Sequence, residues 1–405
     1  MAAGTLGAQE APDRTGTDPE ALARRVLPLL ESRAADIDER AAFPEENLAE
    51  LRRSGLMGLL VPREHGGLGG SYQDLSRVAR ALGEACMSTA LIWAMHCQQV
   101  AAIVDHAGED LRKQVLPRIA AGEVYVASVT TEKGKGGHLL TAVAPLEPDG
   151  DGFTLRREAP IVTGGQVADG FLITMRGGPD APENDVQLVY ADRDQLRLET
   201  RSDWNPMGMR GTHSVAMNIE GHVPASNIVG SGGFKDVAIS SLVPAGHIAW
   251  ASCWLGAATG AFRKVVAMLR DPKRRKQFDL DSDLFLSRLS RVRMELATVS
   301  AFLGRVTDAY QGLRADPDRP AADYEAPWFQ LQLNELKVLA AEQTFSAADH
   351  LVELTGLRHG YIRNADMPLE RVFRDLRSAS LNYGNDRLLV ANGRLALLDR
   401  EVALP

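Results

Sequence analysis

The stretch VYVASVTTEKGKGG, Val124 to Gly137, separates two parts of the chain whose apolar residues recur with different periods. Upstream, from residue 19 to residue 123, apolar positions recur every three or four residues, which is typical of amphipathic helices. From the stretch itself to residue 233, short runs rich in β-branched residues stand between Gly, Pro, Asp and Asn, which predicts strands. The stretch therefore marks the border between a helical domain (19–123) and a β domain (124–233).

Helical periodicity returns after residue 233 and continues to the end of the chain. Three or four helices of about 25 residues or more predict a four-helix bundle over residues 234–405. Residues 1–18 are rich in Gly, Ala, Thr and Pro and lack the apolar core of a signal peptide, so we expect a disordered lead-in. The predicted fold is α+β and mostly α, with an N-terminal helical domain, a central antiparallel β domain and a C-terminal four-helix bundle.

The composition excludes several classes of function. The chain has 45 basic and 53 acidic residues, a net charge of −8, which argues against nucleic-acid binding by phosphate neutralisation. Since no run of about 18 apolar residues occurs, we expect no membrane span and a cytoplasmic location. Cys86, Cys97 and Cys253 lie in apolar helical sequence without metal-ligand spacing, so we expect buried thiols and no metal site.

Five motifs stand out along the chain, and the first and fourth carry residue types that suit a phosphate-bearing ligand. Hydroxyls at a strand end and glycines let the backbone approach a ligand closely, and a guanidinium fork fits paired phosphate oxygens. The motifs are SVTTEKGKGG (128–137), APIVTGGQVADGFLI (159–173), MGMRGTHSVAMNIEGHVPASNIVG (207–230), RRKQFDLDSDLF (274–285) and ELTGLRHGYIRNADMPLERVFRDLR (353–377).

In order and spacing, these motifs resemble those of the acyl-CoA dehydrogenase family of flavoproteins, over nearly the whole chain from about Pro19 to Leu398. The resemblance implies an FAD-dependent oxidoreductase that assembles as a homotetramer or homodimer. It also implies that FAD is held across a subunit interface.

The resemblance further implies which residues hold FAD. Thr163 would hydrogen-bond flavin N5, and Ile161, in place of the family's tryptophan, would lie against the ring. Arg275 would bind the FAD diphosphate of a neighbouring subunit, with Phe278 packing on the cofactor. The remaining positions implied for the cofactor are Ser128, Thr130, Thr131, Gly136, Gly137, Glu353, Gly356 and Asn385.

The motif LNYGN, Leu381 to Asn385, stands where the family has Ile-Tyr-Glu-Gly-Thr, whose glutamate removes the substrate α-proton. Tyr383 occupies the glutamate position, and a neutral phenol with a pKa of about 10 is a poor base at neutral pH. Some family members carry the glutamate on the first long helix of the bundle, and that position is Gly246, followed by His247. Both base positions therefore lack a carboxylate.

Three interpretations stay open. The first is oxidation or desaturation of an acyl thioester, on coenzyme A or a carrier protein, in a specialised biosynthetic pathway. His247 would then be the replacement base, with Tyr383 and His96 as further catalytic candidates. The second is a monooxygenase that uses reduced flavin to hydroxylate carbon or nitrogen and needs no α-proton base. The third is a flavin-binding scaffold without turnover. An electron-transfer protein or a flavin reductase would be the protein partner.

Overall fold

The computed structural model describes residues 18–134, 138–316, 319–363 and 367–400, together with Val402 and Leu404. The predicted lead-in, apart from Asp18, and the predicted cofactor residues Gly136 and Gly137 lie outside the described residues.

The N-terminal domain is built from helices whose ends follow local signals. Asp18 caps the first helix by accepting the Glu20 N–H (3.1 Å), and Ser71 and Asp74 form a reciprocal capping box on the third. An extended residue, Cys86, ends the third helix and permits the fourth to start in a new direction. The helices are α1 Pro19–Arg40, α2 Glu45–Ser54, α3 Tyr72–Ala85, α4 Met87–His106 and α5 Glu109–Ala120.

The central domain contains, within the described residues, two four-stranded sheets with strand orders β1-β4-β5-β8 and β2-β3-β7-β6. The strands are β1 Val126–Val129, β2 Glu147–Asp149, β3 Gly152–Thr163, β4 Gly170–Arg176, β5 Val186–Asp192, β6 Leu196–Thr200, β7 Ser214–Pro224 and β8 Ile228–Val229. Every pairing is antiparallel except that of β1 with β4, which is parallel. This pair departs from the predicted antiparallel pattern because β2 and β3, which intervene in sequence, belong to the other sheet.

The C-terminal domain is a helical bundle with three long helices, α7, α8 and α9. The shorter helices α10 and α11 pack against α9 and together take the place of the fourth helix of the bundle. A π-helical turn, Ala238–Leu242, precedes α7. The helices are α6 Phe234–Val237, α7 Val243–Arg270, α8 Asp283–Leu313, α9 Pro327–Gly356, α10 Leu369–Arg377 and α11 Asn385–Ala396. The predicted order of helical, β and helical domains is confirmed.

The core is continuous because α7 packs on α3, α4 and α9, while α4 also contacts β1. Within the part of the chain that the structure describes, α4 alone is long and apolar enough to span a membrane, and 89% of its most apolar window is buried inside the fold. Cys86, Cys97 and Cys253 are buried free thiols, as the sequence predicted.

Candidate functional site

A cavity of about 720 Å³ lies where α4, both sheets, α7 and the α10–α11 turn meet. Its volume falls in the range of sites for small molecules and cofactors. Much of its wall is apolar, with Leu91, Met95, Leu242, Val243, Trp250 and Leu381. The buried Nε1 of Trp250 and the buried Nδ2 of Asn382, also a wall residue, have no hydrogen-bond partner among the described residues. A ligand that carries acceptor oxygens would satisfy such donors.

The segment Ser128–Thr131, which we call the flavin loop, contributes three of the predicted cofactor residues to one wall of the cavity. These are Ser128, Thr130 and Thr131, at and after the end of β1. The Thr131 hydroxyl donates to the Ile161 carbonyl (2.8 Å) and accepts the Ile161 N–H (3.3 Å). The register between β3 and β7 shifts between Ala159 and Val162, so Thr131 satisfies the backbone groups that this irregularity leaves without ladder partners. The Ile161 side chain lines the cavity and is 50% exposed.

Thr163 also lines the cavity and is the first of three hydroxyls in a row. Its Oγ1 lies 2.9 Å from Ser214 Oγ, which lies 2.9 Å from Thr212 Oγ1. The Thr212 hydroxyl in turn donates to the Met209 carbonyl (2.9 Å). All three hydroxyl-bearing residues are buried and line the cavity.

A buried ion pair lies directly after the flavin loop in the chain and fixes its end. Glu132, directly after Thr131, pairs with Arg157 of β3 at 2.7 Å, and only 5% of the Glu132 side chain and none of the Arg157 side chain is exposed. Its two carboxylate oxygens also accept the N–H groups of Val143 and Ala144. Glu132 was not predicted as a positioning residue, although its place inside the TTEK motif was a usable signal.

Tyr383 reaches the cavity from the turn between α10 and α11. Its φ is 54°, in the left-handed region, and its ring centroid lies 6.0 Å from that of His247. Burial raises the pKa of Tyr383, and the nearby Arg387 opposes this only in part. At neutral pH the side chain is therefore an uncharged phenol, as the sequence predicted.

Lys337 of α9 binds the backbone of this turn on the side away from the cavity. It was not predicted from the sequence. Its buried ammonium donates to the carbonyls of Ala379 (3.0 Å) and Tyr383 (3.0 Å) and to Asn385 Oδ1 (2.8 Å). Burial lowers the pKa of Lys337 to about 7. Asn385, predicted to bind the cofactor, also donates to Glu342 (3.2 Å), so its amide is engaged beneath the turn rather than in the cavity wall.

His247 lines the cavity at the start of α7 and is buried. Its Nδ1 lies 3.1 Å from the Leu333 carbonyl, which can only accept, so the proton is on Nδ1 and Nε2 carries the lone pair. Burial first, and then the charge of Lys337, lower the pKa of His247 to about 3. His247 is thus a neutral imidazole whose protonated form is disfavoured.

The alternative base position, Gly246, faces the side chain of Gln98 from α4. A Cβ at Gly246 would lie 2.3 Å from Gln98 Nε2, too close for any real contact. The Gln98 amide is fixed there because it donates to the Leu242 carbonyl (2.8 Å). Any side chain at position 246 would therefore have to displace Gln98.

His96, the third catalytic candidate, lies outside the cavity wall and is buried. Its Nδ1 accepts the Val126 N–H (3.0 Å), so Nε2 carries the hydrogen and donates to the Met57 carbonyl (2.9 Å). Burial lowers its pKa to about 4. The structure gives His96 a packing role that joins α4 to β1, and we do not assign it to the chemistry.

Four predicted cofactor residues do not line this cavity and lie on the surface of the bundle: Arg275, Phe278, Glu353 and Gly356. Arg275, Glu353 and Gly356 are exposed, and the Phe278 ring packs against His359 just beyond α9 (centroids 6.1 Å apart). The segment 275–278 and the end of α9 thus meet on the outer surface of the bundle.

Charge is distributed unevenly around the cavity. Among the described residues that line it, none is aspartate or glutamate, whereas three are arginines: Arg374, Arg377 and Arg387. Arg374 is held by Asp38 at 2.6 Å and by Glu370 at 2.8 Å, so these carboxylates fix an arginine in the wall without lining the cavity. The site offers hydrogen-bond donors, hydroxyls and a neutral imidazole, but no carboxylate base.

Comparison with known protein families agrees with this architecture. A model of the acyl-CoA dehydrogenase N-terminal domain matches residues 20–123, and one of the acyl-CoA dehydrogenase C-terminal domain matches residues 233–393. The mitochondrial isobutyryl-CoA dehydrogenase of Dictyostelium discoideum is 26% identical over 356 residues, covering 87% of this chain and 81% of that protein.

Solved structures share the fold at lower identity. FMN-bound TdsC from Paenibacillus sp. A11-2, a dibenzothiophene monooxygenase, superposes with a TM-score of 0.83 at 20% identity, covering 94% of this chain and 98% of that one. Butyryl-CoA dehydrogenase from Megasphaera elsdenii gives a TM-score of 0.79 at 19% identity, covering 97% and 100%. The same fold therefore carries both a monooxygenase and a dehydrogenase.

Proposed function

Because the chain belongs to the acyl-CoA dehydrogenase superfamily, a family of flavin-dependent oxidoreductases, we propose that it is a monooxygenase that hydroxylates a largely apolar substrate with reduced flavin and molecular oxygen. The observation that carries this proposal is the lack of any aspartate or glutamate among the described residues of the cavity wall. In the reaction, reduced flavin supplies two electrons, one oxygen atom enters the substrate and the other leaves as water.

Dehydrogenation would require a group that removes an α-proton, and the residues at the two base positions are unsuited to it. The Tyr383 phenol is neutral and its pKa is raised, so it cannot act as the base at neutral pH. His247 has a pKa of about 3 and would become a buried cation close to Lys337 if it took the proton. Gly246 has no side chain, and Gln98 occupies the adjacent space. Oxygenation with reduced flavin needs none of these groups as a base.

The cavity wall fits a flavin ring. Ile161 offers an exposed apolar surface, Thr163 a hydroxyl, and Trp250 and Asn382 buried donors that match the carbonyl oxygens of the ring. Thr130 and Thr131 would bind the adjoining chain of the cofactor. The flavin supplies the redox equivalents, while these residues orient it and exclude water.

We infer FAD rather than FMN from the second cluster of predicted residues. Arg275 and Phe278 lie on the outer surface, where they would reach the adenine half of a cofactor bound to a neighbouring copy. Apolar side chains surround this place: Leu357 is 73% exposed, Tyr361 71% and Ile362 59%. A homodimer or homotetramer would cover this surface. Binding of FMN with FAD-like affinity would remove this inference and leave the oxygenase proposal in place.

A second function, oxidation of an acyl thioester, is favoured by the curated relatives, since a relative that matches 87% of this chain is an acyl-CoA dehydrogenase. The Nε2 lone pair of His247 would then serve as the base. A flavin reductase would be the protein partner of the oxygenase, and an electron-transfer protein that of the dehydrogenase.

Stopped-flow spectroscopy separates the two functions. The flavin-loaded protein is reduced anaerobically and mixed with oxygenated buffer. We expect a transient spectrum that differs from both reduced and oxidised flavin. Direct return to oxidised flavin, combined with anaerobic bleaching of oxidised flavin by an acyl-CoA, would overturn the oxygenase proposal in favour of the dehydrogenase.

A further inference from the structure

The hydroxyl row Thr163, Ser214 and Thr212 has only one consistent direction of hydrogen bonding. The Met209 carbonyl can only accept, so the hydrogen of Thr212 points to it (2.9 Å). Thr212 must then accept from Ser214, whose single hydrogen is used in that bond (2.9 Å). Ser214 in turn can only accept from Thr163 (2.9 Å). The hydrogen of Thr163 is therefore directed into the protein.

The backbone around the hydroxyl row constrains its position, and its residues are buried. Thr163 closes β3 and Ser214 opens β7, and the two residues are directly opposite in the β3–β7 register. Met209 and His213, on either side of Thr212, both have left-handed backbone conformations, with φ of 55° and 45°. All three hydroxyl-bearing residues are buried, with 3–7% of their surface exposed, so few water molecules can compete for their hydrogens.

Thr163 therefore presents lone pairs to the cavity and no hydrogen. The Tyr125 hydroxyl does not change this, because it donates to the Thr163 main-chain carbonyl (2.9 Å) rather than to the side chain. The nitrogen N5 of oxidised flavin is an acceptor, whereas N5 of reduced flavin carries a hydrogen and is a donor. An acceptor in the cavity wall satisfies the reduced ring and opposes a lone pair of the oxidised ring.

We propose that the hydroxyl row Thr212–Ser214–Thr163 is a redox-state selector, which makes the cavity bind reduced flavin more tightly than oxidised flavin. This inference rests on the proposed function in one respect, that the flavin ring lies against Thr163. Such a preference suits a protein that receives reduced flavin from a separate reductase. Ser214 and Thr212 act through Thr163 and are positioning residues.

The test measures flavin affinity and does not require turnover. Dissociation constants of oxidised and anaerobically reduced FAD are determined by fluorescence for the wild type, Ser214→Ala and Thr212→Val. Either substitution frees the Thr163 hydrogen to turn toward the cavity and donate to oxidised N5. We expect the ratio of the oxidised to the reduced dissociation constant to exceed one in the wild type and to fall about tenfold in both variants. For a two-electron couple this lowers the potential of bound flavin by about 30 mV.

A matched control is Thr344→Val. Thr344 is buried on α9, its hydroxyl donates to the Ala340 carbonyl (2.7 Å), and it does not line the cavity. Its substitution should leave the ratio unchanged. Thr212→Val is isosteric, so the ratio can still be measured in this variant if Ser214→Ala does not fold.

The outcomes separate this inference from the proposed function. An unchanged ratio in both variants would overturn the selector and leave the oxygenase standing. A tenfold fall in a protein that gives no oxygenated product would support the selector and remove the oxygenase. A wild type that binds neither form of FAD would overturn both.

Discussion

The close approach of Gly246 to Gln98 can be tested by substitution. In Gly246→Ala the new Cβ would lie 2.3 Å from Gln98 Nε2, so the amide must move and lose its bond to the Leu242 carbonyl. Leaving the buried Gln98 amide without this acceptor costs about 1–3 kcal/mol. Because alanine is favoured over glycine inside a helix by about 1 kcal/mol, the net loss of stability should be up to about 2 kcal/mol.

The same substitution should have the opposite sign when Gln98 is absent. In a Gln98→Ala background the space beside Gly246 is open, and Gly246→Ala should stabilise α7 by up to about 1 kcal/mol. The double-mutant cycle therefore gives a coupling energy of about 1–3 kcal/mol between positions 98 and 246. Gly304→Ala on α8 is the control, since among the described residues no atom beyond the neighbouring turns of α8 lies within 4 Å of its added Cβ, and it should stabilise both backgrounds equally.

Thermal unfolding at one fixed scan rate provides the assay for the cycle. In a chain of this size, 1 kcal/mol corresponds to a midpoint shift of roughly 2 °C or less, so the sign reversal is measurable with replicate scans. Equal effects of Gly246→Ala with and without Gln98 would refute the reasoning that Gln98 fills this base position.

Three further predictions concern titratable groups. Tyr383→Glu places a carboxylate in the cavity, and acyl-CoA should then bleach oxidised flavin anaerobically at least about 100-fold faster than in the wild type; an unaltered rate would show that a missing base is not what limits dehydrogenation. His96→Gln keeps one acceptor and one donor but cannot titrate. The pKa of His96 is lowered from 6.5 to about 4. The wild type should therefore lose up to about 1.4 kcal/mol of stability per pH unit as the pH falls below 6.5. In urea titrations at each pH, the variant should lose less stability than the wild type. Lys337→Met removes a group whose pKa falls from 10.5 to about 7. The stability of the wild type relative to this variant should therefore rise by up to about 1.4 kcal/mol per pH unit between pH 7 and 10.5; parallel profiles would contradict the burial argument.

Local sequence patterns were enough to predict the order of the domains and much of one cavity wall. Periodicity of 3.6 or 2 residues is a local property, so helices and strands could be read without knowing what they pack against. The loop residues Ser128, Thr130 and Thr131, together with Ile161 and Thr163, were predicted from contiguous motifs, and the structure brings all of them to one cavity. The presence of a phenol at the position of the catalytic base, Tyr383, was also predicted, because a single contiguous motif defines this turn.

Which buried polar groups contact one another depends on the tertiary structure and could not be predicted from local patterns. His96 and His247 look alike in sequence, yet one joins α4 to β1 and the other lines the cavity. Gln98 fills the space beside Gly246 through a bond to Leu242, 144 residues away. Lys337 lies beneath a turn 46 residues further along the chain. The direction of the hydroxyl row likewise depends on a carbonyl beyond the strand pair that carries Thr163 and Ser214. The chemistry of a buried group is set by its neighbours in space, and no local pattern records which distant residues those neighbours are.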